Sequence, residues 1–159
     1  MTRRAFFLLP LLLLTTGCGS RAYDLRNPDD GSSLLVGSAP GLAVRGGGSA
    51  STRRWDRRAI VSLSVKNDRK KDLTLDRKAI GMRLGFRKPR ANSLVGSGGE
   101  GRVEQVRVPA EGSLGLITEF SAAFAVSKSG KVTLDFVEAD TKEKVRVEVP
   151  FRMERTKEP

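Results

Sequence analysis

Ala59-Ile60-Val61-Ser62-Leu63-Ser64-Val65-Lys66-Asn67 is the stretch that decides the fold. Val61, Leu63 and Val65 point one way, and Ser62, Ser64 and Lys66 point the other. That period of two marks a strand with one buried face. Asn67-Asp68-Arg69-Lys70-Lys71-Asp72 then reads as a polar turn, after which Leu73 and Leu75 alternate with Thr74 and Asp76. Ile80, Met82, Leu84 and Phe86 take the inner face against Gly81, Arg83 and Gly85, up to Lys88-Pro89, where a residue without a backbone N–H ends the strand.

The same rhythm fills the second half. Residues 93–101 are a glycine-rich loop. Val103, Val106 and Val108 slip phase once at Glu104-Gln105, the sign of a bulge. Leu114, Leu116, Thr118 and Phe120 point inward, with Phe124 and Val126 as further core. Lys128-Ser129-Gly130-Lys131 reads as a hairpin turn. Val132, Leu134 and Phe136 then form one inner face, and Val145, Val147, Val149 and Phe151 another. Short strands separated by turn signals predict an all-β chain: a single antiparallel immunoglobulin-like β-sandwich of about seven strands. Its core is aliphatic and aromatic, with no disulfide.

The domain organisation follows from composition. Residues 1–17 read as a signal peptide and 18–52 as a flexible tether rich in Gly, Ser and Pro. Residues 53–153 are the sandwich and 154–159 a charged tail. Within the tether, Leu34-Leu35-Val36 and Leu42-Ala43-Val44 are apolar enough for either to dock as a first strand.

Val61-Ser62-Leu63-Ser64-Val65-Lys66-Asn67 followed by Leu73-Thr74-Leu75-Asp76, with the later Pro109-Ala110-Glu111-Gly112 turn, resembles the telokin-like, immunoglobulin-like domains carried by bacterial lipoproteins. The plant desiccation-protein sandwich has a similar rhythm. The resemblance implies a sandwich and brings no catalytic residues with it.

The N-terminus carries a second resemblance. Arg3-Arg4 precede Ala5-Phe6-Phe7-Leu8-Leu9-Pro10-Leu11-Leu12-Leu13-Leu14, and Thr15-Thr16-Gly17 lead to Cys18, the only cysteine. A positive start, a short apolar run and small residues before a cleavage point make a secretory signal. The run is too short for a membrane-crossing helix. Cys18 at this position resembles the lipobox of bacterial lipoproteins, with Thr15 where the family usually has Leu. That family acylates the cysteine and cuts before it. A cleaved signal without acylation is the alternative, and it leaves a lone thiol in an oxidising compartment. The expected location is the bacterial envelope, lipid-anchored, outer membrane by default, facing the periplasm.

The chain carries 29 basic and 18 acidic residues, a net charge of +11, and no histidine. Without histidine, Ser-His-Asp and Cys-His catalysis are excluded, and the commonest transition-metal ligand is missing. No pair of carboxylates is placed together by the sequence. No catalytic residue, cofactor or metal is expected, and a histidine-free hydrolase is the least favoured class. The basic balance favours anionic partners; solubility alone accounts for it equally well.

Two basic clusters stand out. Arg53-Arg54-Trp55-Asp56-Arg57-Arg58 places four guanidinium groups around the only tryptophan. Arginine grips phosphate bidentately and stacks on aromatic rings. The competing reading makes Trp55 a cap on the core and leaves the arginines solvated. Arg87-Lys88-Pro89-Arg90 is the second cluster. If residues 73–86 return antiparallel to 59–67, Arg87, Lys88 and Arg90 end near Arg53, Arg54, Arg57 and Arg58, and Arg69-Lys70-Lys71 lie at the opposite end. Gly96-Ser97-Gly98-Gly99-Glu100-Gly101 lacks the helix and the Lys-Ser pair of a phosphate loop and reads as an inter-strand loop. The expected function is a non-enzymatic envelope lipoprotein that binds anionic polymers or lipids through a basic pole. An accessory subunit of a secretion or surface complex is the alternative. Nucleic acid is not an expected partner.

Overall fold

The computed structural model describes residues 21–53, 56–97, 101–121 and 129–156. They are all-β, with a single 3-10 turn and no α-helix among them. The strands are β1 (Ala22–Arg26), β2 (Leu35–Ala39), β3 (Leu42–Arg53), β4 (Asp56–Asn67), β5 (Leu73–Asp76) and β6 (Ile80–Leu84). Then come β7 (Ser93–Gly96), β8 (Gln105–Val108), β9 (Ser113–Ser121), β10 (Ser129–Glu138) and β11 (Lys144–Arg155). All pairings are antiparallel, in the order β7-β9-β4-β3-β1-β11-β10-β5-β8, with β2 on β3 and β6 on β10.

The sheet curls until its two ends nearly meet. Val103 N donates to Leu94 O at 2.8 Å and Arg77 N donates to Glu104 O at 2.7 Å, so residues 103–104 stitch the β7 side to the β5 side. The result is a single sheet of eleven strands almost closed into a barrel. The expected seven-strand immunoglobulin-like sandwich is corrected on both strand number and architecture. The inside is the alternation made solid: Val61, Leu63, Val65, Leu73, Leu75, Leu116, Phe120, Leu134, Phe136, Val147 and Phe151 are all buried.

Local expectations are also corrected. The segment read as a tether supplies β1, β2 and β3. Its glycines are where neighbouring strands come too close for a side chain. A Cβ on Gly46 would run into the Ser62 carbonyl oxygen, and one on Gly48 would sit 2.7 Å from Ile60 O and 2.9 Å from a Leu25 methyl. Glycine inside a strand marks such an approach. Second, β11 continues through the start of the expected tail and ends at Arg155, because β1 pairs with it (Tyr23↔Arg155, Arg26↔Arg152). Third, Phe86 is fully exposed rather than inward. β6 stops at Leu84, and Gly85, with φ +55°, turns the chain so that Arg87 bonds back to Leu84. The 3-10 turn Arg77–Ala79 separates β5 from β6 within residues 73–86. Residues 129–131, expected as a turn, open β10. Phe124 and Val126 lie outside the described residues.

Asn67 ties off one end of the barrel. Its side-chain amide donates to Lys71 O and Pro109 O, each at 2.9 Å, and its oxygen accepts from Arg69 N at 3.0 Å. A fully buried amide is stable only when so satisfied.

Candidate anion-binding surface

Strand register sorts the basic residues by position. One cross-strand row runs Ala22↔Ser51, Ser51↔Arg58 and Arg58↔Ser121. It lies where β1 begins, β3 ends and β4 begins. β6 reaches the same end of the barrel: Leu84 pairs with Gly130 at the start of β10. On the other flank, Ala91 N donates to Ile80 O and Asn92 N to Glu119 O, which ties the first residue of β6 to the end of β9. Arg57, Arg58, Arg87 and Lys88 are therefore exposed at one pole. Arg53 is in the backbone of that hairpin, and Arg54 and Trp55 lie outside the described residues. Arg69, Lys70 and Lys71 are at the opposite end, beside Glu138.

Arg21, Arg57, Arg87, Lys88 and Arg155 make no ion pair among the described residues. Three carboxylates near them are engaged by other arginines: Asp24 with Arg26 at 3.0 Å, Glu154 with Arg152 at 2.6 Å and Glu119 with Arg58 at 3.9 Å. The opposite end is mixed in sign, with Asp68, Asp72, Glu111, Glu138, Asp140 and Glu143 among its lysines and arginines. Phe86 projects from the basic pole between Gly85 and Arg87.

Arg90 parts company with the pole. After the Gly85–Phe86 turn the chain runs back along β6. Met82 N donates to Pro89 O at 2.9 Å, and Gly81 pairs with Arg90. Pro89 is tolerated on this outer edge because only its carbonyl is needed. The returning chain forms one wall of a groove of about 340 Å³ on the outer face of β6, β10 and β11. That is near the lower limit of the ~300–1,000 Å³ usual for small-ligand clefts.

The groove's floor is the row Arg90↔Gly81, Gly81↔Thr133 and Thr133↔Glu148. A Cβ on Gly81 would meet nothing within 4 Å, so the missing side chain is the space itself. Six cations line it against two carboxylates. Lys131 holds Glu148 at 2.6 Å and Arg146 holds Asp135 at 2.6 Å, and the latter contact raises the arginine's pKa further. Arg90 is fixed by a bond to Lys78 O at 3.1 Å. Lys78, Arg83 and Lys88 have no ion pair among the described residues, and the Thr133 hydroxyl has no hydrogen-bond partner among them. The site can therefore hold an anion against unpaired cations and offer a hydroxyl and two carboxylate edges to a ligand's own hydroxyls.

Sequence reasoning named Lys88 and Arg90 but missed Lys78, Arg83, Lys131 and Arg146. Arg83 carried a signal, since the alternation of β6 already put Gly81 and Arg83 on the outer face together. Lys131 carried none, because the pairing of β6 with β10 is long-range.

No family model matches the chain, and no curated protein matches it. Among solved structures it is similar to the crystal structure of a FixG-related protein from Vibrio parahaemolyticus, with a TM-score of 0.39 and 13% identity over 70% of this chain and 94% of that one.

Proposed function

We propose that this chain is a non-enzymatic bacterial envelope lipoprotein, acylated at Cys18, whose barrel binds an anionic, hydroxyl-rich envelope polymer. The observation that carries the binding half is the groove over Gly81, where unpaired cations face a ligand-sized space open to solvent. The signal-like run ending at Cys18 supports the anchor. The two carboxylates in the groove favour a polysaccharide or polyol phosphate over a polymer that carries charge alone, because they accept hydroxyl donors and repel bare anions.

Two variants test this without touching the core. Gly81→Val fills the groove from a strand position of ordinary backbone angle, and Arg83→Ala with Lys88→Ala removes unpaired cations. Each reduces retention on immobilised lipopolysaccharide or a teichoic-type polymer about tenfold, and the double variant has a shallower salt dependence. Unchanged binding and salt dependence in both would exclude the groove.

A specific observation favours a second reading, the accessory subunit of an envelope complex. Ile60 and Ile117 are exposed on the outer face of β4 and β9, beside Gly47, Ser62, Ser64 and Gly115, where a shallow apolar trough forms. Crosslinking of the chain in its own envelope separates the two: a stoichiometric protein adduct through Ile117 supports the second.

A further inference from the structure

We infer that the barrel stands directly on the membrane, with its basic pole against the lipid headgroups and Phe86 inserted among them. The inference rests on the proposed acylation of Cys18 and goes beyond it by fixing which face meets the bilayer.

The first argument is where the chain enters. Arg21 O accepts from Thr52 N at 3.0 Å, and Ala22 pairs with Ser51, so the polypeptide joins the barrel at the basic pole. Only Gly19 and Ser20 separate Cys18 from Arg21. Those three steps along the chain, at ~3.3–3.6 Å each, span about 10 Å at full stretch. A tether of that reach keeps the pole within a headgroup layer's thickness of the acyl chains, in place of the standoff that residues 18–52 would have given as coil. The tether thus brings the face holding Arg21 to the bilayer.

The second argument is charge. The face so placed carries Arg21, Arg57, Arg87, Lys88 and Arg155 without ion pairs among the described residues, while Asp24, Glu119 and Glu154 beside them are each paired with another arginine. The far end carries the six acidic residues named above. A membrane of anionic lipid attracts the first end and is indifferent to the second.

The third is Phe86. A fully exposed phenylalanine at the tip of a tight turn, followed by Arg87 and Lys88, has nothing to cover it on the barrel. An aromatic ring beside cations suits the boundary between headgroup and acyl chain.

A single-indole reporter tests the arrangement. The full chain with Trp55→Phe and Phe86→Trp is purified from a bacterial envelope, checked by mass spectrometry at Cys18, and reconstituted into vesicles of phosphatidylglycerol and phosphatidylcholine. The expected result is a blue-shifted emission quenched by lipids brominated near the headgroup end of the chains. An acylated chain whose residue-86 indole emits as in water and is not quenched overturns the inference while leaving the anchor intact. An unmodified thiol instead overturns the anchor. In that case Cys18→Ser protein is titrated with the same vesicles. Salt-sensitive binding that falls about fivefold for each of Arg87→Ala and Lys88→Ala, and that is absent on phosphatidylcholine alone, supports the pole as a membrane face. Equal binding by all variants overturns it.

Discussion

Glu138 is the carboxylate on which the end of the barrel away from the basic pole is assembled. It is buried, its oxygens accept from the Thr141 hydroxyl, and Lys71 Nζ and Arg69 approach at 3.3 and 3.5 Å. The Thr141 hydrogen bond first, then Lys71 and Arg69, pull its pKa below the ordinary 4.5, against the opposing effect of burial. Asp72 behaves alike: Arg107 and the Ala110 amide hold it below its ordinary 3.8. A depressed pKa means that the folded protein favours the ionised form. The stabilisation is therefore complete above about pH 4.5 and fades as pH falls through the lowered value. Thermal unfolding from pH 7 to 2 is expected to show Glu138→Gln melting below the unsubstituted protein at neutral pH. The gap should narrow below about pH 4.5. A gap independent of pH would mean that Glu138 acts through packing alone.

At the scale of elements, the outcome divides by where the information lay. β4, β10 and β11 were legible because each carries its own alternation, and a half-buried strand needs no more than that. β3 was not. Arg45-Gly46-Gly47-Gly48-Ser49-Ala50 has the composition of a linker, and only its partners make it a strand: Ser62, Leu63 and Ile60 occupy the space that side chains at 46 and 48 would need. That fact belongs to a long-range pairing and is absent from the local string. Phe86 failed for the opposite reason. Its alternation was in phase, but the positive φ of Gly85 ended the strand before it. The candidate site divides in the same way, with the basic clusters visible in sequence and the groove that unites Arg83, Arg90 and Lys131 visible only after β6 pairs with β10. Two glycine substitutions separate a linker from a strand. Gly46→Ala is expected to cost about 3 kcal/mol, the upper range for overpacking. Gly81→Ala, with open space above it, is expected to be neutral or slightly stabilising. Urea unfolding of both reads the difference, and equal midpoints would return 46–48 to the status of a linker.

The whole molecule is a sheet with one weak line. β3 and β4 pair along their full length, and β10 and β11 along most of theirs, whereas β7 has only β9 and β8 only β5. Between β7 and β8 the barrel is held by Val103 N to Leu94 O and Arg77 N to Glu104 O, with Arg77 and Glu104 also joined as an ion pair at 3.1 Å. Local opening follows the lowest density of buried contacts and ladder bonds. The seam amides of Arg77 and Val103 are therefore expected to exchange with solvent well before those of Val61, Leu63 and Val65 in β4. Arg77 also donates to Ala91 O at 2.9 Å, at the root of the returning chain that walls the groove. Opening the seam therefore loosens the groove, and a ligand bound over Gly81 draws on the same closed population. Hydrogen exchange with and without bound anionic polymer tests both parts. The bound polymer should slow Arg77 and Ala91 and leave the β4 core unchanged. Seam amides as slow as β4 in the free protein would instead make the barrel one cooperative unit, its line of closure as firm as its longest strand pair.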